Sequence, residues 1–301
     1  MTSCPYYDEK LQELGGRMIE VKHITKTYGG KKNAFVALDD VNIEIADGAS
    51  VAILGKSGSG KSTLMHAISG LDKPERGEVL VDGEDILRLK TRATDRFRAE
   101  KIGFIFQSFF VEGGETCYDN VSLSLETAGV PRAQRKRRIE SALKAVDLTD
   151  KTKVRAKYLS GGQKQRLAIA RAIAGEPAIL FADEPTGNLD SVTSAVIEDL
   201  LFEYQKQHGA TLIIVTHDED LAKRCERIIR IKDGRVESDS AIEDAIRIAQ
   251  GKMVASGAHR HAATVTIAAA APLPEPKKPR RQTKQSRATK ATKAIKKEAK
   301  K

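Results

Sequence analysis

The sequence predicts an α/β protein with a parallel-sheet core, an antiparallel β region ahead of it, a helical insert within it and a basic tail behind it. Three observations carry this. From Val51 onward short apolar strands alternate with helices: VAIL precedes Ser62–Ser69, AILFAD precedes Ser191–His208, and LIIVT precedes Glu219–Cys225. That rhythm is the one of parallel strands joined by helical crossovers. Upstream, Arg17–Thr27 (RMIEVKHITKT) alternates apolar and polar residues, and Val41–Ile45 repeats the pattern before an Asp47-Gly48 turn, which reads as antiparallel strands. Between the two, Asn120–Val146 is rich in Arg, Lys, Glu, Leu and Ala without a strand-like run, and is expected to be helical.

Composition bounds the rest. With 301 residues, 40% of them hydrophobic, the chain can bury a substantial core. The net charge of +10 is unevenly placed, because Lys277 to Lys301 holds 12 of the 51 basic residues and 1 of the 41 acidic ones. What precedes it is nearly neutral, so the basicity belongs to the tail. Cys4, Cys117 and Cys225 stand far apart with no C-x-x-C pair, which argues against a disulfide framework or zinc site and fits reduced thiols in the cytosol. The N-terminus lacks an apolar stretch, so no secretory signal is expected. The apolar runs are strand-sized, well short of the ~20 residues that span a bilayer. Membrane work, if any, is expected to fall to another chain.

Gly55-Lys-Ser-Gly-Ser-Gly60-Lys61-Ser62-Thr63 matches G-x-x-x-x-G-K-[ST], directly after VAIL and at the start of a helix that Gly70 ends. Glycines at 55, 58 and 60 let the backbone fold tightly, so that N–H groups around Ser57, Ser62 and Thr63 point inward at an anion. Lys61 is expected to neutralise the β- and γ-phosphates of ATP, and Ser62 to coordinate Mg²⁺. The bland reading is a glycine-rich turn that caps a helix.

A metal and a water need a second group, and Ile179-Leu-Phe-Ala-Asp183-Glu184 ends a buried strand in two adjacent carboxylates. Asp183 is expected in the magnesium shell and Glu184 as the general base that polarises the attacking water. Further on, Leu159-Ser160-Gly161-Gly162-Gln163 forms an S-x-x-Q capping box whose paired glycines leave N–H groups bare at a helix start, a second place where phosphate can bind.

A phosphate loop alone fits a kinase, a GTPase or a helicase; the Ser160–Gln163 string discriminates. It resembles the signature of ATP-binding cassette (ABC) ATPases. That resemblance implies a P-loop NTPase core with a parallel sheet, an antiparallel β subdomain and an α-helical subdomain. It also implies a head-to-tail homodimer in which each signature closes on ATP held by the other copy. Tyr28 resembles the aromatic platform that stacks on adenine. Gln107, in FIFQSFF, resembles the Q-loop glutamine that contacts Mg²⁺ or water and relays closure to a membrane partner. Leu189 and Asp190 resemble the loop that crosses between subunits, and His217, in LIIVTHD, the switch histidine on the γ-phosphate.

These elements run in the family's order across roughly Arg17–Arg235. The expected organisation is an N-terminal extension (1–16), a nucleotide-binding domain (17–240) with its helical subdomain at about 108–165, a C-terminal helix (241–256) and a disordered Ala/Pro/Lys-rich tail (257–301). Asp183-Glu-Pro-Thr-Gly-Asn-Leu-Asp190 is similar to the lipoprotein-release, macrolide-export and cell-division branch, while VEGGETCYDN at 111–120 departs from that branch's Leu/Pro/Thr-rich stretch. The resemblance implies an integral membrane permease as partner and a peripheral position on the cytoplasmic face of the membrane. The tail suits anionic lipid or nucleic acid, or a solvated extension without a partner. A soluble ABC ATPase acting on DNA or ribosomes is the competing enzyme, disfavoured by the presence of one compact cassette. A cell-division scaffold that signals without moving cargo is the third reading.

Overall fold

The computed structural model describes residues 17–30 and 33–241. The chain divides into Met1–Met253 and Val254–Lys301, and the architecture below belongs to the first. The expected N-terminal extension, nearly all of the C-terminal helix and the basic tail lie outside the described residues.

Two sheets form the frame. In the first, β1 (Arg17–Tyr28), β2 (Phe35–Ala46), β4 (Arg76–Val81) and β5 (Glu84–Asp85) pair in the order β2-β1-β4-β5, all antiparallel. The alternation read from Arg17–Thr27 is real but interrupted. The β1–β2 register shifts between Val21 and Ile24, where His23 takes a φ of 53°, so that Ile19, Val21 and Ile24 all face inward.

The second sheet has six strands in the order β10-β9-β3-β8-β7-β6: β3 (Ser50–Leu54), β6 (Ile102–Phe106), β7 (Ile179–Asp183), β8 (Thr211–Thr216), β9 (Arg227–Lys232) and β10 (Arg235–Asp239). Strands β9, β3, β8, β7 and β6 run parallel, and β10 returns antiparallel to β9 through Asp233-Gly234. Both turn residues have positive φ, the geometry that such a dipeptide supplies in tight hairpins.

Because side chains alternate across a strand, each central strand feeds two cores. Val51, Ile53, Ile179, Phe181, Ile213 and Val215 face the antiparallel sheet and the helix α1 (Lys61–Ile68). Ala52, Leu54, Leu180, Ala182, Leu212 and Ile214 face the opposite layer. That layer contains α3 (Cys117–Thr127), α4 (Arg132–Ala145), α5 (Gly161–Ile173), α6 (Ser191–His208) and α7 (Glu219–Lys223), while α2 (Thr91–Lys101) leads into the edge strand β6.

The helical insert is therefore two helices. α3 opens earlier than the composition suggests because Thr116 and Asp119 close a capping box, and the chain breaks at Gly129–Pro131. The element α5, whose start lies inside the expected subdomain, continues to Ile173 and packs on the sheet. Strands β4 and β6 escape a sequence reading. The six-residue and five-residue runs RGEVLV and IGFIF each contain a glycine and become strands by pairing with β1 and β7.

Phe181 is fully buried at the centre of β7 and stacks on Phe104 with centroids 5.6 Å apart. We predict that Phe181→Ala costs about 3–5 kcal/mol, the usual range for a large core aromatic. Thermal melting should fall by roughly 10 °C for a domain of this size; a shift under ~2 °C would show that the two-core account of β7 is wrong.

Candidate functional site

Four neighbouring parallel strands end at one edge, and each ends in a chemically distinct group. Strand β3 runs into the phosphate loop, β6 into Gln107, β7 into Asp183 and Glu184, and β8 into His217. The carboxyl ends of such strands are where open α/β sheets place ligands. Here they border a cleft of about 460 Å³ lined by Tyr28, Phe35, Ala37, Ser57, Gly58, Gly60, Lys61, Ser62, Thr63, Gln107, Asp183, Glu184 and His217.

Helix α1 begins at Gly60, which has φ 103° and carries no side-chain cap, so the N–H groups of the first turn are left for a ligand. A Cβ at Gly60 would lie 2.4 Å from the Ala37 carbonyl oxygen, so only glycine brings the loop this close to β2. Lys61 is 7% exposed, and its ammonium donates to the carbonyls of Gly55 (2.8 Å) and Lys56 (3.0 Å). Of its three N–H bonds two are thus spoken for within the loop, and one is left for a phosphate.

On the facing side the Ser62 hydroxyl donates to Asp183 Oδ1 at 3.4 Å. Burial raises the Asp183 carboxyl above its ordinary range, the Ser62 hydrogen bond and nearby His66 and Lys61 pull it down, and Glu184 pushes it up. Next along, Glu184 has φ 47°, a backbone held by its N–H bond to the Val215 carbonyl (2.9 Å). Its carboxylate accepts from His217 Nδ1 at 2.7 Å and from the Thr216 hydroxyl at 3.3 Å. With Nδ1–H committed to Glu184, the other ring nitrogen of His217 is left for a ligand, on a cleft-lining side chain that is 70% exposed.

Gln107 is fixed by a residue that sequence reading passed over. Asn188 donates to the Gln107 carbonyl (3.0 Å), and the Gln107 amide donates back to Asn188 Oδ1 (3.5 Å). Phe35, 60% exposed beside Tyr28, is a second cleft aromatic that was not singled out. Asn188 sits inside the quoted DEPTGNLD string, so a signal existed; Phe35 has none, since it enters the cleft through the β1–β2 pairing with Tyr28.

Ser160, Gly161, Gly162, Gln163 and Asp190 do not line this cleft. The capping box forms as read: the Ser160 hydroxyl accepts from Gln163 N (3.3 Å), and the Gln163 side chain accepts from Ser160 N (3.0 Å). A Cβ at Gly162 would lie 2.6 Å from the Thr193 methyl, and Thr193 is held through its N–H and hydroxyl by Asp190, which caps α6. The starts of α5 and α6 thus make one joined patch apart from the phosphate loop.

Comparison with known proteins decides the family. A model described as "ABC transporter" matches residues 38–187. The ATP-binding protein of the lipoprotein-releasing system, LolD, of Syntrophus aciditrophicus is 42% identical over 219 residues, 73% of this chain and 98% of that protein. The chain belongs to the ABC transporter family. An ABC transporter ATP-binding protein of Thermotoga maritima is 43% identical over 223 residues, covering 73% of this chain and 94% of the relative. Among solved structures, the dimeric ATP-binding cassette MJ0796 in a post-hydrolysis state with ADP and Pi superposes with a TM-score of 0.69 at 41% identity, over 74% of this chain and 97% of that one. This ABC cassette is an ATPase, with the mixed α/β fold of its relatives.

Raising the Asp183 pKa means that folding disfavours its ionised form. That cost is present above the folded pKa and fades as pH falls through it. We predict that Asp183→Asn melts higher than wild type at pH 8 without nucleotide or magnesium, and that the gap closes as pH falls. A gap independent of pH would contradict the assignment.

Proposed function

We propose that the cleft binds MgATP, that two copies close head to tail around two nucleotides, and that the cycle drives a separate integral membrane permease at the cytoplasmic face. The observation that carries it is the Glu184–His217 pair at 2.7 Å, in the cleft that also holds Lys61, Ser62 and Asp183. In this reading Tyr28 stacks on adenine, and the loop from Gly55 through Ser57, Gly58, Gly60, Lys61, Ser62 and Thr63 cradles the phosphates. Water attacks the γ-phosphorus, its proton passes to Glu184, and the bond to the ADP oxygen breaks. His217 orients Glu184 through Nδ1 and offers its other nitrogen to the γ-phosphate.

The residues present fit Mg²⁺. Ser62 and Asp183 converge as hard oxygen donors, and burial of Asp183 is offset by a cation placed beside it. Magnesium is held through one or two carboxylates together with substrate phosphates; Asp183 would supply the carboxylate, with the Ser62 hydroxyl beside it and Gln107 in the same cleft. Bound there, the ion neutralises charge on the phosphates during transfer.

Two features support closure with a second copy. MJ0796 is dimeric with ADP and Pi. The start of α5, where the Ser160–Gln163 capping box leaves the N–H groups of Gly161 and Gly162 for an anion, serves in this reading as a phosphate site outside its own chain's cleft, adjoining Asp190. The permease is supported by the transporter names of the relatives and by a groove around Gln107 where Phe110 (64% exposed) and Leu71 (44%) present apolar surface. Among the described residues no helix is long and apolar enough to cross a membrane.

Glu184→Gln keeps shape and removes the base. We predict that it binds ATP with wild-type affinity, loses at least about 100-fold in kcat, and accumulates as a dimer on size exclusion with MgATP. Turnover within tenfold of wild type would remove Glu184 from its assigned role.

A further inference from the structure

We propose that Lys26 and Asp72 act as positioning residues for the Tyr28 ring, setting the base-stacking platform at a fixed distance from the phosphate loop. This rests on the reading of Tyr28 as the adenine platform.

Lys26 is 9% exposed, so its ammonium must be paired to be tolerated. It donates to Asp72 Oδ1 at 2.8 Å and to the Lys73 carbonyl at 2.7 Å, with Glu75 at 3.8 Å. The other oxygen of the same carboxylate, Oδ2, accepts from the Tyr28 hydroxyl at 2.7 Å. One carboxylate thus ties two side chains of the β1 end at once. The ammonium also lies over the Tyr28 ring, 5.1 Å from its centroid. A ring anchored at its hydroxyl and with one face engaged by a cation keeps its orientation and has its other face for a base. A cation on one face also draws electron density from the ring, which favours stacking of an electron-rich base on the other.

The anchor reaches the phosphate loop by a short, stiff route. Asp72 follows α1 directly, and its N–H bonds back to the His66 carbonyl at 3.1 Å within that helix. α1 is the helix whose first turn carries Lys61, Ser62 and Thr63. The Thr63 hydroxyl also bears on the Tyr28 phenol, which burial and the Asp72 bond raise and Thr63 lowers. Two further bonds zip the same loop to β1: Thr27 N to Glu75 Oε2 at 2.7 Å and Glu75 N to the Thr25 carbonyl at 3.1 Å. The phosphate cradle at the first turn of this eight-residue helix and the base platform held by Asp72 are thereby tied to one helix, with Thr63 bearing on the ring as well. Pre-set spacing of this kind raises affinity by removing the ordering cost of the ring at binding.

A tie that merely holds the fold together has no preference for the base, and this separates the two roles. MgATP and inorganic tripolyphosphate with magnesium are titrated calorimetrically into the full-length wild type, Lys26→Met, Lys26→Arg, Asp72→Asn and Tyr28→Ala, with kcat measured in parallel. We expect Lys26→Met and Asp72→Asn to weaken ATP binding about 5–10-fold, short of the effect of Tyr28→Ala, with kcat at saturation within about twofold of wild type. Tripolyphosphate affinity should be unchanged in all variants, and Lys26→Arg, which keeps the cation, should bind ATP within about twofold of wild type. Equal loss for ATP and tripolyphosphate, or wild-type ATP affinity in Lys26→Met and Asp72→Asn while Tyr28→Ala is weakened, overturns the proposal. If Tyr28→Ala itself binds ATP normally, the stacking role of Tyr28 fails, and the positioning role fails with it.

Discussion

A lysine ammonium held almost out of water, with two carbonyl oxygens of its own loop as partners and one N–H to spare, is costly to maintain, and much of the cassette serves to maintain it. The loop around Lys61 exists because β3 is buried on both faces and must hand its chain to α1 without leaving the sheet edge. Gly60 makes that hand-over possible, since a Cβ there would meet the Ala37 carbonyl oxygen of β2 at 2.4 Å. The parallel order β3-β8-β7-β6 then brings His217, Glu184, Asp183 and Gln107 to the same edge, though they lie far apart in the chain.

The site is built with deliberate electrostatic tension. Asp183 is buried enough to resist ionisation, and Glu184 adjoins it on a left-handed backbone. Neither feature helps the fold by itself. In the proposed function both become useful when phosphates and a cation enter, because groups already stripped of water and fixed by neighbours do not have to reorganise during transfer. The starts of α5 and α6 pack closely, Gly162 against the Thr193 methyl, and Thr193 is bonded to Asp190.

Much of this was legible from residues. The local strings Gly55–Thr63 and Asp183-Glu184, read together, meet at one cleft, and the Ser160–Gln163 capping box formed as read. The long helix forms over Ser191–His208 as read, and in the structure Asp190 caps its start and Gly209 follows its end. What escaped depends on pairing between distant segments. β6 is a strand because β7 lies beside it, Phe35 enters the cleft through β1, and Asn188 meets Gln107 across 81 residues of chain. The tie from Lys26 and Tyr28 to Asp72 spans 44 to 46 residues and has no local periodicity to betray it.

The central claim is that ATP sits at a seam contributed by two copies, Lys61 from one and the start of α5 from the other. A crystal structure of the Glu184→Gln protein grown with ATP and magnesium tests it directly. The account expects the Ser160 hydroxyl and the Gly162 N–H at about 3 Å, hydrogen-bond distance, from the γ-phosphate gripped by the partner copy's lysine loop. Nucleotide bound with that helix start far from every phosphate would contradict it.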